Sequence, residues 1–221
     1  MIDSIVSISD SAFFSIITAA LEAYKVDHVL CDGEAGARVE TIGNLWGYSQ
    51  GLTGGDKIYR VVWADTSTSA IRSKASIVHD KAVQELKQTF VDTFFPEVSY
   101  LGDYHSHPYS NKDDGVKTEL ELERSELYKF TNADFRSVKS LQDEDALDYR
   151  VGLVVTVFER EQQVSRAQTR LDGASGIRFQ YSGMTIWIKA YVWSDNGEQN
   201  YRRKACKMVR LVCPGLSALD V

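Results

Sequence analysis

The sequence predicts an α+β domain with a mixed β-sheet flanked by helices. β-rich runs and runs of helical period follow one another without a regular βα repeat, which argues against a doubly wound parallel sheet. The clearest strand, Tyr149 to Glu159, is apolar on both faces, with Val151, Leu153, Val155 and Val157 on one and Val154 and Phe158 on the other. A strand in the middle of a sheet covered on both sides needs that pattern. The chain has 221 residues, 43% of them hydrophobic and 25% charged, the composition of a globular domain large enough to bury a sizeable core.

Taken in order, Ile2 to Ile8 reads as a short strand. Ser9 or Ser11 then caps a helix whose stripe is Phe13, Ile16, Ile17, Ala20, Leu21 and Tyr24. Residues Asp32 to Gly36 form a turn, Glu40 to Gln50 a strand, Leu52 to Asp56 a hairpin loop and Ile58 to Ala64 the returning strand. A helix from about Ser76 to Thr93 carries Val78, Ala82, Leu86 and Phe90 at steps of four, and Pro96 ends it. The apolar run Val98 to Leu101 opens another strand. A polar stretch follows, Tyr109 to Lys129, of which Thr118 to Tyr128 has a thin helical stripe. The next helix runs from Thr131 to about Leu141, ahead of an acidic loop, Asp143 to Asp145. Ile177 to Tyr181 and Thr185 to Trp193 form a hairpin turned by Ser182-Gly183, and Lys207 to Cys213 adds a last strand. Residues 1–160 form the expected core of the domain, with 161–221 a β-rich extension packed on it.

Composition excludes several classes of function. A net charge of −6 argues against a basic surface for nucleic acid, and Tyr201-Arg202-Arg203-Lys204 reads as a solvated basic turn. No apolar run approaches the roughly 18 residues needed to span a bilayer. Met1-Ile2-Asp3-Ser4 lacks the basic start of a signal peptide. Cys31, Cys206 and Cys213 are odd in number and form no Cys-x-x-Cys pair, so neither a disulfide framework nor a cysteine metal site is expected. A cytoplasmic location without membrane contact follows as the expectation.

Chemistry concentrates at Gly102-Asp103-Tyr104-His105-Ser106-His107-Pro108. On a strand, side chains two apart share a face, so His105 and His107 can converge on one metal ion. Pro108 cannot donate to a sheet ladder, and the strand is expected to stop there, leaving the pair at a sheet rim. A catalytic metal of the zinc type takes three protein ligands and keeps one position open. Asp103 shares the histidine face, Asp113 and Asp114 follow in the next loop, and Asp134 begins the next helix. Each is a candidate third ligand. Asp134 also has a local role, because Thr131-Asn132-Ala133-Asp134 reads as an N-cap with an acidic partner three residues on, and Phe130 and Phe135 occupy the positions of a hydrophobic staple.

The His105-Ser106-His107-Pro108 stretch followed by Thr131-x-x-Asp134 resembles the JAMM (MPN-plus, JAB) metallopeptidase family. The family's earlier strand of the form Glu-x-x-Gly-x-Leu-x-Gly is matched by Glu40-Thr41-Ile42-Gly43-Asn44-Leu45-Trp46-Gly47, in the right chain order. The likeness covers roughly residues 1–160. It implies an MPN/JAB-like (cytidine-deaminase-like) fold and one Zn²⁺ held by His105, His107 and Asp134. It further implies Glu40 as general base and then general acid, and Thr131 as donor to the oxyanion. Two features depart from the family pattern. The long insert Tyr109 to Phe130 separates the motif halves, and Thr131 stands where the family has serine. Loops beside active sites commonly build substrate contacts, so substrate choice is expected in the insert.

The resemblance implies a zinc isopeptidase or peptidase that cleaves after the C-terminus of a ubiquitin-like protein, to deconjugate or mature it. The compact chain resembles the family's bacterial members, among them those in antiphage conjugation operons, more than its multi-domain eukaryotic versions. Other relatives process sulfur carriers or phage-tail proteins, and some have lost the metal residues and act as scaffolds.

Overall fold

A computed structural model of the chain describes residues 4–30, 33–52, 55–72, 77–78, 80–145, 148–161, 167–194 and 209–217. Strand β1 (Ser4–Ile8) leads into α1 (Asp10–Lys25), whose N-cap Ser9 accepts the amide of Ala12. Two short strands, β2 (His28–Val29) and β3 (Ala35–Gly36), pair antiparallel. Then β4 (Ile42–Gly51) and β5 (Lys57–Ala64) form a hairpin, and β6 (Ile71–Arg72) pairs with β7 (Ile77–Val78). Helix α2 (Lys81–Phe94) precedes β8 (Ser99–Tyr109). The small helices α3 (Asn111–Asp114) and α4 (Glu119–Arg124) lead to α5 (Asn132–Asp145) and β9 (Tyr149–Glu159). The remaining elements are β10 (Thr169–Leu171), β11 (Gly176–Tyr181), β12 (Met184–Ser194), β13 (Val209–Val212) and α6 (Pro214–Ser217).

Nine strands form one mixed sheet in the order β10-β11-β12-β9-β8-β4-β5-β1-β13. The pairs β8–β9, β1–β5 and β1–β13 are parallel and the others antiparallel. The α+β class with a mixed sheet and flanking helices is therefore what the chain adopts. On one face α1 buries Ile16, Ile17, Ala20 and Tyr24 against Val151, Leu153, Val155 and Val157 of β9. Fully burying each large apolar side chain contributes roughly 1.5–3 kcal/mol, which is why this stripe and this strand face set the layer. On the other face Phe130, Val138, Val154, Tyr191 and Trp193 form a second cluster under α5. The β11–β12 hairpin turns at Ser182 and Gly183, both with positive φ (45° and 80°), the turn whose twist suits a two-residue hairpin loop.

Residues beyond 160 complete both sides of the sheet, since β12 pairs along the whole of β9 and β13 pairs with β1. Cys31, Cys206 and the basic stretch Tyr201 to Lys204 lie outside the described residues. Among the described residues, no helix is long and apolar enough to cross a membrane.

Three expectations need correction. Strand β8 does not stop at Pro108 but runs to Tyr109, with Pro108 in register with Val157 of β9. The other neighbour, β4, pairs only as far as His105, so the missing N–H of Pro108 faces no ladder partner and costs nothing. Helix α2 starts at Lys81, with Asp80 as its cap, because Ile77 and Val78 are drawn into a strand pair. Its stripe of Leu86 and Phe90 faces outward with Phe94, the three being 69%, 55% and 63% exposed, while Val91 packs on Trp46, Val98 and Tyr100. Finally, α5 continues through Asp143 to Asp145, where a loop was expected.

Candidate metal centre and active site

The histidines sit on β8 where it leaves its pairing with β4 and continues beside β9. Strand alternation places both side chains on the face that carries α5, and both are buried. Their Nε2 atoms lie 3.1 Å apart. Phe130 packs against the His105 ring, with centroids 4.9 Å apart, and fixes its orientation.

Asp134 reaches this pair from the first turn of α5. Its Oδ1 is 3.6 Å from His105 Nε2 and its Oδ2 is 3.4 Å from His107 Nε2. The local cap is formed as the residue types demand. The Thr131 amide donates to Asp134 Oδ2 at 2.6 Å, the Thr131 hydroxyl donates to the same oxygen at 2.8 Å, and the Asp134 amide donates back to Thr131 Oγ1 at 3.2 Å. Phe130 and Phe135 close the staple, with ring centroids 5.8 Å apart. One carboxylate thus caps a helix and faces two imidazoles. Burial by itself would raise its pKa, but the two histidines outweigh burial and hold the carboxyl far below the ordinary carboxylate range. Among the described residues, His105, His107 and Asp134 are the group of side chains able to hold a metal ion.

The other candidate ligands are engaged elsewhere. Asp103 is buried and takes a short hydrogen bond from Arg150, whose guanidinium also donates to the Tyr100 hydroxyl at 2.9 Å. Asp113 pairs with Arg38 at 2.6 Å, and Asp114 accepts the amide of Ser110 at 2.8 Å.

Glu40 precedes β4 and is brought to the histidines by two backbone anchors. The amides of Arg38 and Val39 donate to the carbonyls of Tyr24 and Ala23 at the end of α1. On the far side, Ser106 Oγ accepts the Thr41 amide at 2.9 Å, and the Ser106 amide donates to the Thr41 carbonyl at 2.9 Å. Gly43 and Gly47 let β4 lie close to its neighbours: a β-carbon at Gly43 would collide with the carbonyl of Asp65, and one at Gly47 with that of Arg60. The Glu40 carboxyl is pushed up to about 7, chiefly by burial; His107 opposes the rise and Asp134 adds to it. Glu40, His105, His107, Thr131 and Asp134 are therefore brought together.

Sequence reasoning missed Ser106, whose side chain points away from the histidines and holds the Glu40 segment. It also missed Tyr24, whose hydroxyl donates to the Tyr109 carbonyl at 2.9 Å and accepts the Glu159 amide at 3.1 Å. Neither has a local signal, since each partner lies tens of residues away. The insert Tyr109 to Phe130 is folded over this end of the sheet. Val116, Leu122 and Tyr128 pack on Phe158 and Trp187, and Glu119 accepts a short hydrogen bond from the Thr185 hydroxyl. No protein-family model matches the chain, and no curated protein matches it either.

Proposed function

We propose that the chain is a zinc-dependent peptidase of the JAMM type, with an MPN/JAB-like fold, that cleaves the peptide or isopeptide bond after the C-terminus of a ubiquitin-like protein. The observation that carries this reading is a half-buried carboxyl of raised pKa, Glu40, in electrostatic reach of two imidazoles and a carboxylate whose ligand atoms converge. The donor set, two imidazoles and one carboxylate with a position left open, suits zinc. Four ligands held tetrahedrally at about 2.0–2.1 Å stand about 3.3 Å apart. Here the two imidazole Nε2 atoms stand 3.1 Å apart, and each carboxylate oxygen of Asp134 faces one imidazole, Oδ1 at 3.6 Å from His105 and Oδ2 at 3.4 Å from His107. A pure scaffold has no use for this arrangement, because burying Glu40 opposes its ionisation and weakens the fold at neutral pH.

When bound, zinc supplies Lewis acidity, which makes a water acidic enough to attack near neutral pH and polarises the scissile carbonyl. His105, His107 and Asp134 hold the ion. Glu40 takes the proton of the attacking water and delivers it to the leaving amine, a role suited to a carboxyl that titrates near 7. Thr131 stands at the mouth of the site, and its hydroxyl, which donates to Asp134 Oδ2 here, would turn to the developing oxyanion once Asp134 holds the ion. Phe130 keeps water from the far side of His105.

The test is Glu40→Gln with zinc content and turnover measured on the same preparation, using ubiquitin-like fusions as substrates. The variant is expected to bind one zinc per chain and to lose about 10²–10⁴-fold in kcat. Turnover within a few-fold of the unaltered protein would remove Glu40 from the mechanism. Purified protein that takes up no zinc would remove the metallopeptidase reading altogether.

A further inference from the structure

A cavity of about 780 Å³ opens beside the metal group, walled by the insert, the start of α5 and the 172–173 turn. Its mouth is shared with the site, since Tyr109 and Thr131 both line it. Tyr109 stands two residues beyond His107, with its ring edge-on to the imidazole. Deeper in, half-buried Leu127 and Phe135 face a floor of Phe130 and Tyr191, whose rings lie 4.3 Å apart.

The charged groups of the cavity neutralise one another. Asp172 accepts from Lys189 at 2.7 Å and from the Tyr128 hydroxyl at 3.0 Å, and it pairs with Lys129 at 3.1 Å. Lys129 also reaches Glu126 at 2.8 Å. The turn that presents Asp172 is strained, with positive φ at Asp172, Gly173 and Ala174 (50°, 67° and 80°). Such a run persists only where its surroundings impose it, here through Lys189, which bridges Asp172 and Ser175, and through Ser175 Oγ, which donates to the Asp172 carbonyl at 2.8 Å. A closed charge set under aromatic walls leaves no unmatched charge for a charged ligand. It offers ring faces to a neutral one.

The flanks of the site differ. Toward β4, where Val91 of α2 packs on Trp46, the exposed outer stripe of α2, Leu86, Phe90 and Phe94, offers an apolar face to a folded body. Toward β9 and β12 the insert covers the sheet through Phe158 and Trp187, and the cavity lies beside it. A substrate that lies across the site with its folded part on the α2 flank places the residue after the scissile bond in that cavity.

We infer that this cavity is the specificity pocket for the leaving-group side, and that it takes a neutral aromatic side chain at the residue following the cut. The inference rests on the peptidase reading, but binding of the released half tests it without turnover. The probes are short peptides with a free N-terminus beginning Phe-Gly-Ser or Asp-Gly-Ser, together with Gly-Ser-Phe, which ends in a free carboxylate and mimics the acyl half. Binding to the zinc-loaded full chain is followed by NMR titration. The expected result is at least tenfold tighter binding of Phe-Gly-Ser than of Asp-Gly-Ser, reduced to within twofold in Phe135→Ala. Because Phe135 also staples α5, Leu127→Asp serves as a second variant that leaves the staple intact, and it should likewise abolish the preference. Equal affinity of the two amine-side peptides overturns the pocket assignment, as does a preference unchanged in both variants. Preferential binding of Gly-Ser-Phe overturns the choice of side. If the preference is found but no fusion is cleaved, the cavity stands as an aromatic-binding site, and its leaving-group role falls with the peptidase reading.

Discussion

Ser106 and Thr41 exchange two hydrogen bonds of 2.9 Å: the Thr41 amide donates to Ser106 Oγ, whose side chain lies on the sheet face opposite the histidines, and the Ser106 amide donates to the Thr41 carbonyl. Because Ser106 separates His105 from His107, the same strand that presents the two ligands also fixes the segment carrying Glu40. The serine of the motif is thus a positioning residue. Ser106→Ala leaves the buried Thr41 amide without its side-chain acceptor, a loss of about 1–3 kcal/mol. The expected result is a lower kcat with zinc content unchanged, and recovery in Ser106→Thr, which retains a hydroxyl. Loss of zinc in Ser106→Ala would instead make this residue part of the ligand scaffold.

Glu40 gives the site its pH dependence. Its carboxyl ordinarily titrates at 4.5 and is pushed up to about 7, first by burial. A raised acid pKa means that stability is fully present below the ordinary value and is lost as pH rises through about 7. In the metal-free protein Glu40→Gln is therefore expected to be more stable than the unaltered chain at pH 8, by up to about 3 kcal/mol, and equal to it near pH 4. Urea denaturation at the two pH values checks this. Adding the cation favours the carboxylate, so with zinc bound the kcat/KM profile should rise with a pKa below 7.

Asp134 and Asp103 separate ligation from structure. Asp134 faces both imidazoles, whereas Asp103 neutralises the buried Arg150. Asp134→Ala should weaken zinc binding by orders of magnitude and also cost about 1 kcal/mol through the lost cap. Asp103→Ala should retain zinc but lower stability by about 3–5 kcal/mol, because a buried guanidinium loses its partner. Zinc titration with a competing chelator, run beside denaturation, distinguishes the two. Retention of metal by Asp134→Ala at ordinary affinity would reopen the choice of third ligand.

The site was legible where its geometry is local. Alternation on β8 places His105 and His107 together, and Thr131-x-x-Asp134 with Phe130 and Phe135 writes the start of α5 in one stretch of chain. What periodicity could not show is what covers a face or which distant group meets it. The stripe of α2 is periodic but faces outward, because nothing in a repeat of four names the neighbour that would bury it. Pro108 stays in a strand because only β9 pairs there, a fact of sheet order. The ties from Ser106 to Thr41 and from Tyr24 to Tyr109 span 65 and 85 residues, beyond any local pattern.

The insert offers the last contrast, between packing and surface charge. Leu122 is fully buried in a cluster with Val116, Tyr128, Phe158 and Trp187, so it joins the insert to β9 and β12. Arg38 and Asp113 join the Glu40 segment to α3, but both are partly exposed, with side chains 29% and 48% accessible. A solvated pair contributes about 0–1 kcal/mol, whereas truncating a buried leucine costs about 2–5 kcal/mol. Leu122→Ala should therefore lower the urea midpoint clearly, and Arg38→Ala should barely move it. If the two variants prove equally destabilising, the insert is held by its charges and not by its apolar side. Leu122→Ala should also loosen the wall that carries Leu127 and Lys129. It is then expected to raise KM for substrates with an aromatic residue after the cut more than for those with glycine there.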